Sequence, residues 1–391
     1  MDNDMYCINL IKRIVGLTLF CILFSCNNLS AQSQLLLNID DPQHGVLLPL
    51  VIQDKQYDIL LDSSQAFNFL DASLHFKLKT LADSRSQDLT IISSGEEHVE
   101  PLDYKLGAYK LRSKQPIIAA HLFFYAKYLG KNVQGTLGVS ALRDYSVYIN
   151  FDKGQFAINE DINTFVNKND FSKIEIVKNE NKLPVVEVAI GNKKIPFLIN
   201  TLDVLSGRLT KTTIDSLIES GEISDVFFGA NVNNNKLSGQ RLVRVKEIKI
   251  GKLIYRDLLM GESVENSIGL GLLKRNEVAI DFSGEKVFLK KGKKFNSPDS
   301  IDKSGVYLIK DNDKLLIAWL DNRGPAARVS IQRNDVIISI NGNSVTGKDL
   351  WKVRSILEGE IGEKIDLTLL RNEKEIHFSF YLDEDFNRNN T

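Results

Sequence analysis

Thr136-Leu-Gly-Val-Ser-Ala-Leu-Arg-Asp-Tyr-Ser-Val-Tyr-Ile-Asn-Phe151 and Ser267-Ile-Gly-Leu-Gly-Leu-Leu-Lys-Arg-Asn-Glu-Val-Ala-Ile-Asp-Phe282 match position for position at a shift of 131 residues. Each copy reads as an apolar pair stopped by glycine, one short helical turn, and a strand ending in Asn-Phe or Asp-Phe before a hairpin. Two further stretches repeat in the same order. Val51-Ile-Gln-Asp-Lys-Gln-Tyr-Asp-Ile-Leu-Leu-Asp62 lies over Ala189-Ile-Gly-Asn-Lys-Lys-Ile-Pro-Phe-Leu-Ile-Asn200 at a shift of 138. Tyr104-Lys-Leu-Gly-Ala-Tyr-Lys-Leu111 lies over Ile248-Lys-Ile-Gly-Lys-Leu-Ile-Tyr255 at a shift of 144, with Gly107 and Gly251 at equivalent turns. Three collinear matches of this length indicate two homologous lobes, where a repeat of about 20–50 residues would indicate a solenoid. Short alternating strands with polar turns at Gln53-Asp54-Lys55-Gln56, Asp152-Lys153-Gly154, Gly191-Asn192-Lys193-Lys194 and Ser283-Gly284-Glu285 make the chain mainly β.

The length of 391 residues allows two to four domains, and 49 basic against 50 acidic residues leave no concentrated basic surface for nucleic acid. Cys7, Cys21 and Cys26 are the only cysteines, so the body of the chain has no disulfide, thiolate nucleophile or cysteine metal ligand. The histidines His44, His75, His98, His121 and His377 are scattered, with no pair spaced to hold a metal on one helical face. Any hydrolysis is therefore expected to rest on carboxylates, with no cofactor and no metal.

Lys12-Arg13, the apolar run Ile14 to Phe24 and the small, polar residues through Ser33 follow the order of a secretory signal. Two processing sites compete: a lipobox-like Leu23-Phe24-Ser25-Cys26, which would lipidate Cys26 after a signal of 25 residues, and Leu29-Ser30-Ala31, which would end a signal peptide at residue 31. The expectation is an exported protein of a bacterial cell envelope, periplasmic or an outer-membrane lipoprotein held to the membrane through its N-terminus.

Apolar strand, turn, apolar strand, Asp-Ser, then a later apolar-apolar-Gly and an apolar strand resemble the aspartic peptidases, pepsins and retropepsins, over about residues 45–290. The resemblance implies a two-lobed, pepsin/retropepsin-like acid protease β-barrel fold, lobe one at 45–160 and lobe two at 180–291. It places Asp62-Ser63-Ser64 in the first catalytic loop, with Leu137-Gly138 beside it. Asn200-Thr201-Leu202 takes the second, with Ile268-Gly269 beside it. Ser63 and Thr201 would make the hydrogen bonds between lobes, and a flap would fall within Leu89–Val99 around Gly95. The dyad is degenerate because Asn200 stands where the family has its second aspartate. Two adjacent carboxylates share one proton, and an asparagine can neither give nor take it. Ser64 and Leu202 replace loop glycines, and each would be strained if its φ were positive.

After Pro298, Ser304-Gly-Val-Tyr-Leu308, Arg323-Gly-Pro-Ala-Ala-Arg328 and Asp335-Val-Ile-Ile-Ser-Ile-Asn-Gly342 resemble a PDZ domain of the bacterial type, at 303–384, a β-sandwich carrying short helices. Asn334 stands where glycine is usual. PDZ domains add an extended peptide to a sheet edge and capture its carboxylate on loop N–H groups. By position those residues are Ser304, Gly305, Val306 and Tyr307, with Trp351 and Arg354 on the groove helix. The expected function is binding of extended peptides or protein C-termini with impaired proteolysis; the alternative is an active aspartic endopeptidase acting through Asp62. A monomer is expected over a homodimer that would pair two copies of Asp62.

Overall fold

The structure, a computed structural model, describes residues 35–77, 97–113, 115–177, 179–233 and 236–384. Cys26, the expected export signal and most of the expected flap lie outside the described residues. Leu36–Thr391 form one compact unit.

The fold is mainly β, and its sheets repeat as the sequence does. In lobe one, Leu47–Ile52 and Lys55–Leu61 form a hairpin; Lys55–Leu61 runs parallel to Gly135–Leu137, which pairs antiparallel with Asn68–Asp71, itself parallel to Ile117–Ala120. In lobe two the same path runs from the hairpin Val185–Ile190/Lys193–Ile199 through Ser267–Ile268 and Gly207–Thr210 to Leu253–Ser263. The closing pairs are equivalent too, Val51↔Lys105 in one lobe and Ala189↔Lys249 in the other. Strands covered on both faces need continuous apolar runs. Leu60, Leu61, Leu137, Ile199 and Ile268 are accordingly buried. Gly107 and Gly251 both turn at φ 58°, a left-handed conformation that glycine adopts without a steric penalty.

A third sheet joins the lobes, because Ser146–Asn150 pairs antiparallel with Asn276–Asp281. Tyr148 faces Ala279, its own counterpart at the shift of 131, and Ser146↔Asp281 exchanges with Asn150↔Glu277. A pseudo-twofold axis therefore passes between Tyr148 and Ala279.

The lobes differ in one connection. Residues 264–266 join Leu253–Ser263 to Ser267–Ile268, whereas residues 121–134 join Ile117–Ala120 to Gly135–Leu137. The longer connection carries the helix Phe123–Leu129, ended by Gly130 at φ 70°.

The C-terminal sheet has the order Val306–Asp311, Lys314–Leu320, Val336–Ile340, Lys364–Arg371, Lys374–Tyr381, with Val306–Asp311 at an edge. Helix Leu350–Leu357 buries Leu350, Val353 and Leu357 in the core of this module. Asn334 takes φ 74°, the left-handed conformation that asparagine tolerates in place of glycine.

Candidate functional site

Asp62 and Asn200 follow the central strand of each hairpin, and their backbones are fixed alike. The Asp62 N–H donates to Leu137 O at 2.9 Å and the Asn200 N–H to Ile268 O at 2.8 Å. Gly138 and Gly269 permit this crossing. A Cβ on Gly138 would stand 2.1 Å from Phe67 O, and one on Gly269 2.3 Å from Leu205 O. Both glycines are extended, so close approach rather than φ requires them.

Ser63 and Thr201 tie the loops together reciprocally. The Ser63 N–H donates to Thr201 Oγ1 at 3.1 Å, and the Thr201 N–H donates to Ser63 Oγ at 3.3 Å. Each hydroxyl then donates to the carbonyl two residues before its partner: Ser63 Oγ to Ile199 O at 2.7 Å, Thr201 Oγ1 to Leu61 O at 2.6 Å. All four atoms are buried polar groups, and leaving one unpaired costs about 1–3 kcal/mol.

The carboxyl and the amide are held differently. Asp62 Oδ1 accepts from the Ser64 N–H at 3.0 Å and the Ser64 hydroxyl at 2.6 Å. Asn200 Oδ1 accepts from the N–H groups of Leu202 at 2.9 Å and Asp203 at 3.2 Å. No hydrogen bond joins Asp62 to Asn200; their coupling runs through Ser63 and Thr201. Burial pushes the Asp62 carboxyl up to about 6, opposed by the Ser64 bonds and reinforced by the charge of Glu265. Ser64 and Leu202 do not have positive φ, so the strain considered for these glycine replacements is absent. Ser64 instead supplies a hydroxyl to the carboxylate, a role visible only once the loop is folded.

Three neighbours of the loops carry no signal in the sequence. Asp203 is buried in a two-pronged ion pair with Arg208, at 2.8 Å on each prong. Arg208 also donates to Gln240 Oε1 at 2.7 Å. The Tyr125 hydroxyl, from the helix unique to lobe one, donates to Leu202 O at 2.9 Å. Its own ionisation is pushed far up by burial and by the charges of Asp62 and Asp203. Among the described residues no group of three or more His, Cys, Asp or Glu is arranged to hold a metal.

In the C-terminal module the loop residues Ser304, Gly305 and Val306 do not present free N–H groups. Asp302 Oδ1 accepts from the Ser304 N–H at 3.0 Å and the Gly305 N–H at 2.6 Å, and Ser304 Oγ accepts from the Val306 N–H at 3.0 Å. An internal carboxylate thus sits where a peptide carboxylate was expected. Burial pushes Asp302 up to about 7. Tyr307 packs its ring edge-on against Trp319, centroids 4.9 Å apart.

Comparison with known proteins bears on these two parts separately. A family model for the PDZ domain matches residues 316–371, so the C-terminal module is a PDZ domain. A probable CtpA-like serine protease of Staphylococcus aureus (strain bovine RF122 / ET3-1) is 24% identical over 178 residues, 44% of this chain and 34% of that protein. The chain thus spans about a third of that relative's length. Among solved structures, an aspartic proteinase from Irpex lacteus aligns over 68% of this chain and 99% of its own, at 11% identity and a TM-score of 0.43.

Proposed function

We propose that this chain is an exported, aspartic-peptidase-like protein that binds extended peptide in the cleft between its lobes, with hydrolysis impaired by Asn200 and with a PDZ domain attached. The observation that carries the reading is the reciprocal Ser63/Thr201 bonding, which sets Asp62 and Asn200 in equivalent positions of two facing loops. Asp62 can act as a base near neutrality, but peptide hydrolysis also needs a proton donor to the carbonyl oxygen, and an amide is none. General acid–base assistance is worth about 10²–10⁴-fold, so half a dyad leaves binding with little turnover. Rebuilding a symmetric dyad by homodimerisation has to displace Thr201 from Ser63, which supports a monomer. Serine-protease chemistry, which the staphylococcal relative's name states, has no support at these loops, since the Ser63 and Ser64 hydroxyls donate to Ile199 O and to the Asp62 carboxylate.

The second reading, an active aspartic endopeptidase, draws on the raised ionisation of Asp62. Residues 32–391 are incubated with a denatured protein mixture from acid to neutral pH, beside Asp62→Asn and Asn200→Asp. Binding without cleavage in the wild type, and cleavage appearing in Asn200→Asp, is the expected pattern. Wild-type cleavage that vanishes in Asp62→Asn would replace the proposal by the second reading. Export is tested by fractionating cells that express the full chain, with Cys26→Ser separating lipidation from cleavage after Ala31.

A further inference from the structure

The helix Phe123–Leu129 touches both peptide-recognition surfaces. At one side Tyr125 holds Leu202 O in the second loop of the cleft. At the other, the helix packs along the PDZ edge strand Val306–Asp311. Lys127 pairs with Asp311 at 2.8 Å, and Lys310 reaches Gly130 O at 3.4 Å. The groove helix Leu350–Leu357 completes the grip: Trp351 Nε1 donates to Leu129 O at 2.9 Å, and the Arg354 guanidinium lies 4.5 Å from the centre of the Tyr128 ring. His44, ahead of lobe one's first hairpin, stacks on Trp351 at 3.7 Å.

The site a peptide strand would use is therefore filled from within. Arg354 Nη2 already donates to Leu308 O of the edge strand at 2.6 Å, and Asp302 fills the N–H loop. What remains of the groove opens into a cavity of about 410 Å³, walled by Val306, Leu308 and Arg354 on the PDZ side and by Leu205, Leu242 and Leu259 of lobe two. Lobe two makes the equivalent connection in residues 264–266, so the helix is an addition the barrel does not need.

We propose that the occupant of the PDZ groove is this chain's own Phe123–Leu129 helix, which clamps the Leu202 side of the cleft until a peptide takes its place. The clamp is a contact between segments of one chain, so it holds in the absence of any peptide. Its consequence for ligand access rests on the peptide-binding reading above. By linkage, groove binding and release of the helix favour each other.

The geometry provides a reversible lock. A Cβ built on Gly130 lies 3.7 Å from Leu350 Cβ, inside the span of about 3.5–4.5 Å found in disulfides; a side chain at φ 70° is strained, so the reduced double variant is the reference for the oxidised one. Residues 32–391 contain no cysteine, so Gly130→Cys/Leu350→Cys forms only the intended bridge. Binding of a C-terminal peptide library, followed by fluorescence polarisation, is expected to weaken by about tenfold or more in the oxidised protein and to recover on reduction. Equal binding in both forms overturns the clamp. A peptide-free measurement decides independently. Trp351→Ala is expected to speed hydrogen exchange at Ala126 of the helix, at Lys131 just past its end and, together with them, at Leu202 and Asp203, by about tenfold. Lys127→Glu, which disturbs neither core, should move the same amides less, and Tyr381→Ala on the far PDZ strand should move none. Faster exchange confined to the helix, with Leu202 and Asp203 unchanged, overturns the clamp. If neither redox form binds peptide, the peptide-binding reading fails and the exchange result still stands.

Discussion

On the first lobe the central strand ends in an ionisable carboxyl bonded to the Ser64 hydroxyl, with Gly138 crossing beside it. On the second, Asn200 receives backbone N–H groups from its own loop, and the neighbouring Asp203–Arg208 ion pair stiffens the same turn. The scaffold is shared and the chemistry is not. Symmetric hydrogen bonds through Ser63 and Thr201 keep the loops in register whatever follows them. An asparagine at one position and an aspartate at the other are therefore compatible with one architecture, and on the peptidase-like reading proposed above the asparagine removes the proton that a dyad would share.

The largest effects test the symmetry itself. Gly138→Ala and Gly269→Ala each drive a Cβ into a carbonyl oxygen and should destabilise the chain comparably, by roughly 3 kcal/mol or more in urea unfolding. A large loss at one glycine and none at the other would deny the equivalence of the lobes. Next, Thr201→Val leaves Leu61 O and the Ser63 N–H without partners and should cost about 2–4 kcal/mol. Ser63→Ala, measured in the same way, should cost a similar amount.

The carboxyl is the point where the lobes part. Its folded ionisation, about 6, lies above the ordinary 3.8, so its contribution to stability is fully present below about pH 4 and is lost as pH rises through about 6. Asp62→Asn should match the wild type below pH 4 and exceed it at pH 8 by roughly 1–3 kcal/mol. A wild type whose advantage over Asp62→Asn grows from pH 4 to 8 would reverse the sign and remove the case for a buried carboxyl. The smallest change is Ser64→Gly. It restores a loop glycine and removes a donor to Asp62, and should raise that carboxyl further, by about one unit or less in a carbon NMR titration.

Much of this was legible in the residues. The three repeated stretches determined two equivalent lobes, and Gly107 and Gly251 their matching turns, because these depend on chain-local rules of periodicity and φ; the crossings at Gly138 and Gly269 came with the resemblance to aspartic peptidases. Asp62 and Asn200 were found because they end one of those repeats, and Ser63 and Thr201 because the resemblance to aspartic peptidases places them in the loops that follow. Asp302 was not. It lies in a connector without a repeat or pattern, and only the folded loop directs its carboxylate onto the Ser304 and Gly305 N–H groups.

By itself the sequence determined the duplication, the asymmetry of Asp62 and Asn200, and the PDZ domain at the end. The tertiary structure alone decided what fills the PDZ groove and what lies over Leu202. Both depend on packing between segments far apart in the chain: Leu129 meets Trp351 and Tyr125 meets Leu202 across separations of 222 and 77 residues. Contacts of that range leave no periodic trace, since nothing in the local pattern of an amphipathic helix names the surface that buries it.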